Sequence, residues 1–359
     1  MVVTGRTANP LARDLDEVLA VGGELLNELR GARIFITGGT GFFGCWLLET
    51  LLWANDRLDL GAEATVLTRD RPAFARKAAH LANHPIVVLH PGDVRTFEFP
   101  AGKFSHVIHA ATPSSAPVSA RDMFETVVDG TRRTLEFARA SNARRFLLTS
   151  SGAVYGRQPA DLTHMSEDYV GAPDCTSSRN AYGEGKRAAE LLCALYASDT
   201  LEPTIARCFA FVGPYLPLDA HFAAGNFLRD ALHGGPVCVE GDGRSFRSYL
   251  YGAELAIWLW TILLRGMVLR PYNVGSGCQV SVGDLATMVA QVSRTKVRVA
   301  KRASALSASR YVPDVTRASS ELGLIQRVRL SDAITRTLDW HTSTRAFRLS
   351  IAARIKSHS

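Results

Sequence analysis

Apolar residues along this chain fall into short unbroken runs separated by stretches with helical spacing. RIFIT (33–37), ATVLT (64–68), IVVLH (86–90), HVIHA (106–110), RFLLTS (145–150) and TIARCFAFVG (204–213) are rich in β-branched and apolar residues. Such runs predict strands covered on both faces. CWLLETLLWAN, PAFARKAAHLAN, ETVVDGTRRTLEFARAS and AYGEGKRAAELLCALYAS (181–198) lie between them and predict helices. Regular strand–helix alternation predicts an α/β fold built on a doubly wound parallel sheet. The alternation fades near residue 215. Shorter segments beyond it predict a smaller substrate-binding lobe over 216–345, with returns to the sheet, and then a basic tail over 346–359. Residues 1–30 carry Leu11, Leu15, Leu19, Leu25, Leu26 and Leu29 among charges and predict a helical extension outside the main fold. LAIWLWTILL (255–264) is too short to span a bilayer and predicts a buried helix.

The turn after the first run, TGGTGFFG, sets Gly38, Gly41 and Gly44 between a strand and a helix. That spacing lets the backbone turn tightly and approach a pyrophosphate, which then rests on the helix N-terminus. Residues 31–215 are therefore expected to form a dinucleotide-binding Rossmann domain. An NAD site of this kind usually carries an acid at the end of the second strand. Thr68 stands there, followed by Arg69, whose guanidinium suits a 2′-phosphate. NADP is slightly favoured over NAD on that ground.

Charge and composition narrow the function classes. The 359 residues are 47% hydrophobic and 21% charged, enough for a real core. The net charge of +7 is spread along the chain without a run of like charges. Nucleic-acid binding is thus disfavoured, and a basic cleft for a phosphorylated small molecule fits better. Cys45, Cys175, Cys193, Cys208, Cys238 and Cys278 show no paired spacing, and most sit in apolar or helical contexts. They read as reduced, mostly buried thiols, with no disulfide or metal framework. The N-terminal stretch has no basic segment leading into an apolar core, so no signal peptide, no membrane partner and a cytoplasmic location are expected.

Tyr182 and Lys186 lie four residues apart on a predicted helix and share one face. An ammonium beside a phenol stabilises the phenolate, so the pair predicts a lowered tyrosine pKa and proton transfer coupled to hydride transfer. The strand run before that helix ends in Thr149-Ser150-Ser151.

Taken in order, TGGTGFFG, HAAT (109–112), SSGAVYG (150–156), YGEGK (182–186), RCFAFVGP (207–214), GDGRSFRSY (241–249), YNVGS (272–276) and RYVPD (310–314) resemble the extended short-chain dehydrogenase/reductase superfamily. The branch is that of the nucleotide-sugar epimerases and dehydratases, and the likeness spans roughly residues 31–340. The resemblance implies Ser151, Tyr182 and Lys186 as the catalytic set. It implies cofactor contacts at Gly38, Thr40, Gly41, Phe42, Phe43, Gly44, Asp93, Val94, Ala110, Ala111, Thr112, Thr149, Tyr182 and Lys186, beside Arg69. A nucleotide-diphosphate sugar would meet Ser114, Ser151, Tyr182, Asn226, Arg247 and Arg310, with His221 near the lobe entry. His109, ending a strand, is expected to be packed beside the cofactor rather than catalytic. A homodimer is also implied, through helices 121–141 and 181–198, with Phe124, Val128 and Leu135 on the contact face.

Departures from the family pattern narrow the chemistry. The dehydratases carry a carboxylate pair just before Val-Tyr-Gly, and the sugar-acid decarboxylases a glutamate. Here Ser151 is followed by Gly152 and Ala153, which exchange no proton. Water loss and decarboxylation are therefore not expected by the usual route. Hydride transfer at sugar C4 is, either as 4-epimerisation or as 4-keto reduction. A dehydratase recruiting Glu184 or Cys208 is the alternative enzyme. A non-catalytic sensor or scaffold is disfavoured by the intact Ser151, Tyr182 and Lys186. Val127 stands where the helix motif usually has Asn, and Ala210 and Val212 replace a frequent Asn and Tyr.

Overall fold

The computed structural model describes residues 9–113, 118–220, 222–300 and 308–356, with side chains described as far as residue 344. Seven strands form the central sheet: β1 (Arg33–Thr37), β2 (Glu63–Thr68), β3 (Val87–Pro91), β4 (His106–His109), β5 (Arg145–Ser151), β6 (Glu202–Cys208) and β7 (Pro271–Val274). Their spatial order is β7-β6-β5-β4-β1-β2-β3, all parallel. The order reverses between β1 and β4, and a crevice opens there beyond the carboxyl ends of the strands.

Side chains on successive strand residues point to opposite faces, so each apolar run feeds two cores. Ile34 and Ile36 of β1 and Leu147 of β5 join one cluster. Phe35, Phe146 and Leu148 join the other. The first face is covered by α2 (Phe42–Leu58) and α6 (Gly252–Arg265), the second by α3 (Ala120–Ala140) and α4 (Ala181–Tyr196). The LAIWLWTILL segment lies inside α6 with Trp258 and Trp260 fully buried, as the pattern predicts. Among the described residues no helix is long and apolar enough to cross a membrane.

The N-terminal helix departs from expectation. α1 (Ala12–Leu26) is not peripheral: Leu11, Leu15, Val18 and Leu26 are buried against α2 and α6. Gly22 packs so tightly that an added Cβ would lie 2.0 Å from Ile257 Cδ1. Asp14 accepts hydrogen bonds from Tyr251 and Arg336, which ties α1 to the start of α6 and to α8 (Leu330–Lys356). Leucines among charges look alike in the sequence whether or not a partner waits for them, and here α6 supplies one.

The smaller lobe holds α5 (Ala223–Leu232), α7 (Val282–Ser293) and two small sheets. In one of them Phe246–Arg247 is central, antiparallel to Val280–Ser281 and parallel to Arg310–Tyr311. Two further expectations are corrected by burial. Leu135 is fully buried in the core under α3, so it faces no partner, whereas Phe124 is exposed. Of the thiols, Cys45, Cys193 and Cys208 are buried, but Cys175 and Cys278 are exposed.

Candidate active site

The glycine loop leaves β1 and enters α2 at the crevice. Gly38 has φ +71°, and a Cβ there would sit 2.4 Å from the Ala110 carbonyl oxygen. At Gly44 a Cβ would lie 2.2 Å from Gly39 Cα, so the first helical turn presses directly on the loop. Gly41 is the N-cap of α2 and supplies no side chain to it. The amides of that first turn are thus available for an anionic group, an arrangement that fits a dinucleotide pyrophosphate. Phe42 is buried and Phe43 half-buried, both against Phe211, and the Thr40 carbonyl accepts a hydrogen bond from Lys77 at 2.8 Å.

Across the crevice, the β4 end is fixed by His109. Thr131 and Thr134 donate their hydroxyl protons to the Val127 and Gly130 carbonyls at 2.6 and 2.7 Å. Thr131 Oγ1 also stands 3.0 Å from His109 Nε2, and the Thr37 and Thr134 hydroxyls stand 2.8 and 3.2 Å from Nδ1. Thr37 Oγ1 in turn accepts from the Ala111 amide at 3.3 Å, which sets the Ala110-Ala111-Thr112 segment in place. Burial, with the nearby Lys186 charge, pushes the imidazole down to about 3. His109 is thus a neutral packed group, as the sequence suggests, and Val127 fills the position of the missing asparagine within the core.

At the outer edge, the Asp93 carboxylate accepts from the Arg95 amide and guanidinium at 2.9 Å and is held below the usual range by those bonds. Arg69 is exposed and close enough to Asp93 to contribute to that lowering. Val94 is buried and packs on Gly130.

The reactive hydroxyls gather where β5 ends. Ser151 is buried and caps a short 3-10 turn, its Oγ accepting from the Ala153 amide at 3.1 Å. Tyr182 and Lys186 lie on one face of α4 as predicted. Lys186 is 2% exposed, and its Nζ donates to the Thr149 carbonyl at 2.7 Å. The same Nζ lies 5.9 Å from the Tyr182 ring centroid. The expected lowering of the phenol is not what the geometry gives. Burial pushes Tyr182 up to about 12, with the Ser151 hydroxyl pulling the other way. Burial also pulls Lys186 down to about 8. Thr149 and Ser150 are strand-end anchors: Thr149 Oγ1 donates to the His109 carbonyl at 3.1 Å, and Ser150 to Glu190 at 2.5 Å.

Gly152 has no room for a side chain. A Cβ would lie 2.7 Å from Phe209 Cζ and 2.8 Å from the Tyr311 hydroxyl. Tyr311 Oη itself is 3.4 Å from Ser151 Oγ. Nothing in the sequence of RYVPD singles out this phenol beside the charged Arg310, except its adjacency to that arginine on a strand, where neighbouring side chains point to opposite sides.

The two residues proposed to replace a strand-end carboxylate are placed elsewhere or disabled. Glu184 lies 3.7 Å from Arg187 on a groove shared with Phe124, Glu190, Leu191 and Arg207. Cys208 is buried and its thiol is pushed up to about 12, with Lys186 opposing.

Arg247 and Arg310 lie on the two strands of the small parallel pair, where Arg310 is registered with Phe246 and Arg247 with Tyr311, so their side chains leave opposite faces. Arg247 donates to the Phe246 carbonyl at 2.7 Å. Arg310 donates to the Leu162 carbonyl at 3.3 Å and stands over the Phe246 ring, and its Nε is buried with no hydrogen-bond partner among the described residues. Asn226 is otherwise engaged: its amide nitrogen faces the Leu218 and Ala220 carbonyls at 3.0 Å each and closes the loop into α5. Ser114 and His221 lie outside the described residues.

With this geometry in view, comparison with known proteins is informative. The model of the NAD dependent epimerase/dehydratase family matches residues 34–275. UDP-glucuronic acid decarboxylase 2 of Arabidopsis thaliana is 29% identical over 333 residues, 90% of this chain and 72% of that protein. The solved structure of UDP-glucose 4-epimerase with UDP-glucose from Thermotoga maritima superposes with a TM-score of 0.72 at 20% identity, covering 87% of this chain and 99% of that one. UDP-glucuronic acid 4-epimerase from Bacillus cereus, in complex with UDP-glucuronic acid and NAD, gives a TM-score of 0.72 at 20% identity, with 87% and 99% covered. The two structures share the fold with this chain.

Proposed function

Because the chain belongs to the NAD dependent epimerase/dehydratase family, we propose that it oxidises or reduces C4 of a nucleotide-diphosphate sugar, as a 4-epimerase or a 4-ketoreductase. The observation that carries this reading is the cluster of Ser151, Tyr182 and Lys186 around a Gly152 position closed to any carboxylate. In the oxidative direction the C4 hydroxyl gives its proton to the Tyr182 phenolate while hydride leaves C4 and a ketone forms. The dinucleotide, when bound, takes that hydride and returns it. Ser151 holds the sugar oxygen by a hydrogen bond. The Lys186 ammonium, sharing a face of α4 with Tyr182, works against the burial that pushes the phenol up to about 12 and so favours the phenolate. Epimerisation requires only that the ketone present its other face before hydride returns; keto reduction is the second half alone. Arg247 and Arg310 hold the diphosphate, and Arg69 stands at the ribose 2′ position, where it favours NADP. The exposed Phe124, Leu191 and Leu195 on α3 and α4 support a homodimer across that face.

A second reading is favoured by the sugar-acid decarboxylase among the curated relatives. If the sugar is a uronic acid, the C4 ketone makes a β-keto acid. Its carboxylate leaves as carbon dioxide, the electron pair passing to an enolate at C4, and C5 is protonated afterwards. That step needs an electron sink more than an added base, so the closed Gly152 position does not forbid it.

The test is a product assay by NMR. The whole chain is incubated with NAD or NADP and a panel that includes UDP-glucose, UDP-glucuronic acid and dTDP-glucose, and with NADH or NADPH and 4-keto sugars for the reductive direction. Inversion at C4 or reduction of a 4-keto sugar supports the first reading; a pentose product supports the second. Absence of all three products across the panel refutes both. Tyr182→Phe serves as the control and should lose roughly 10²–10⁴-fold in turnover.

A further inference from the structure

The Ser151 hydroxyl has a neighbour that comes from the other lobe. Tyr311 belongs to the short strand paired with Phe246–Arg247, and its backbone surroundings leave it little freedom. The Val312 amide donates to Gln158 Oε1 at 3.0 Å, and the Val312 carbonyl accepts from the Met165 amide at 2.8 Å. Both partners lie on the segment that follows β5. The Tyr311 ring packs against Phe209 in a tilted pair, with centroids 4.6 Å apart and planes at 35°. Its hydroxyl thus stands 3.4 Å from both Ser151 Oγ and the Cys208 carbonyl oxygen.

The proton inventory of these groups is short. Ser151 Oγ already accepts the Ala153 amide. A carbonyl can only accept, so the Tyr311 proton is shared between Cys208 and Ser151. When Tyr311 donates to Ser151, both lone pairs of the serine are occupied, and the serine proton can only go outward to the sugar oxygen or to Tyr182. When Tyr311 turns to Cys208, Ser151 is free to donate back to Tyr311 and its proton is lost to the reaction.

We propose that Tyr311 is a positioning residue for the reaction: its hydroxyl directs the Ser151 proton toward Tyr182 and the sugar, and its ring, with Phe209, occupies the space that a side chain at position 152 would need. Resting on the C4 chemistry proposed above, this assigns to the substrate lobe a direct hold on the catalytic serine. Arg310 and Tyr311 are adjacent on one strand, so a ligand engaging Arg310 would also press on the group that orients Ser151. A carboxylate at 152 and a phenol at 311 are then two alternative fillings of one space, and this chain has taken the second.

The experiment uses Tyr311→Phe in the whole chain, which keeps the ring and removes one oxygen. Turnover should fall about 3- to 10-fold, the worth of one neutral hydrogen bond, with KM for the nucleotide sugar nearly unchanged. A hydrogen bond donated to the phenolate lowers its pKa, so losing the directed serine proton should move the ascending limb of the oxidative pH profile upward by about half a unit or more. The same shift is read without any sugar by 13C-tyrosine NMR of Tyr182 with NAD or NADP bound, its signal assigned by its loss in Tyr182→Phe. Gly152→Ala, whose Cβ would displace the phenol, should lower turnover in the parent chain and add little to Tyr311→Phe. An unmoved Tyr182 titration in Tyr311→Phe overturns the proposal, as does full additivity of the two substitutions. If the parent chain turns over no nucleotide sugar, the C4 reading fails by itself, and the Tyr182 titration still decides the role of Tyr311.

Discussion

Replacing Lys186 by methionine should make the protein more stable and nearly inactive at the same time. The side chain is 2% exposed, and burial pulls its pKa from 10.5 down to about 8. A shift of that size corresponds to about 3 kcal/mol charged against folding at neutral pH, at about 1.4 kcal/mol per unit. Methionine fills a similar volume without the charge but leaves the Thr149 carbonyl without its 2.7 Å donor, a loss of about 1–2 kcal/mol. The net expectation is a gain of about 1–2 kcal/mol at pH 7, or about 1–3 °C in Tm for a chain of this size. The sign with pH is also fixed. Between about 8 and 10.5 the unfolded chain holds the proton that the folded chain has released, so the stability of the parent protein rises with pH across that window. The Lys186→Met chain should lack that rise. Urea titrations of both proteins at pH 7 and pH 9.5 read both quantities, and turnover on a nucleotide sugar should fall at least about 10²-fold. A variant less stable than the parent at pH 7, or one with the parent's slope between pH 8 and 10, would refute the reasoning.

Other outcomes follow from the same geometry. Arg69→Ala should weaken NADP more than NAD, changing the ratio of their dissociation constants about 5-fold or more in fluorescence titrations, since a charge-assisted bond is lost only with the 2′-phosphate. His109 is held down to about 3 in the folded chain, so the unfolded chain takes up a proton first as pH falls below about 6.5. Thermal melts between pH 7 and pH 4 should therefore show falling stability, with His106 and His341, each near 4, adding to it, and His109→Gln should flatten the slope. Arg247→Met should raise KM for the nucleotide sugar about 10-fold or more while kcat changes little, because a diphosphate contact is the same in the ground and transition states.

Much of this fold was legible because parallel strands buried on both faces leave a plain record: six apolar runs, five of them ending within a residue of the strand they predict, and the glycine loop where the first strand stops; the sixth run, read to residue 213, leaves the sheet at Cys208. The meeting of Tyr182 and Lys186 was legible because a helix puts residues four apart on one face. What escaped lay in packing between distant segments. Tyr311 meets Ser151 across 160 positions of sequence, and no local pattern marks the encounter. The Tyr182 pKa was misjudged for a related reason: spacing shows which charge is near, but burial, here the larger effect, depends on everything around the ring. Leu135 is buried where the sequence suggests a surface position, because helix periodicity does not say which apolar stripe faces the sheet. α1 was set aside because its partner, α6, lies more than two hundred residues further along.

The seal that α1 makes on α6 bears on how much of this chain can stand alone. The family model matches residues 34–275, a span that excludes α1, the Arg310–Tyr311 strand and α8. Cut to that segment, the protein would uncover the Ile257 side of α6 and strip Tyr251 of its bond to Asp14. It would also take the phenol away from Ser151. The part that the family model matches is smaller than the part that packs as one core.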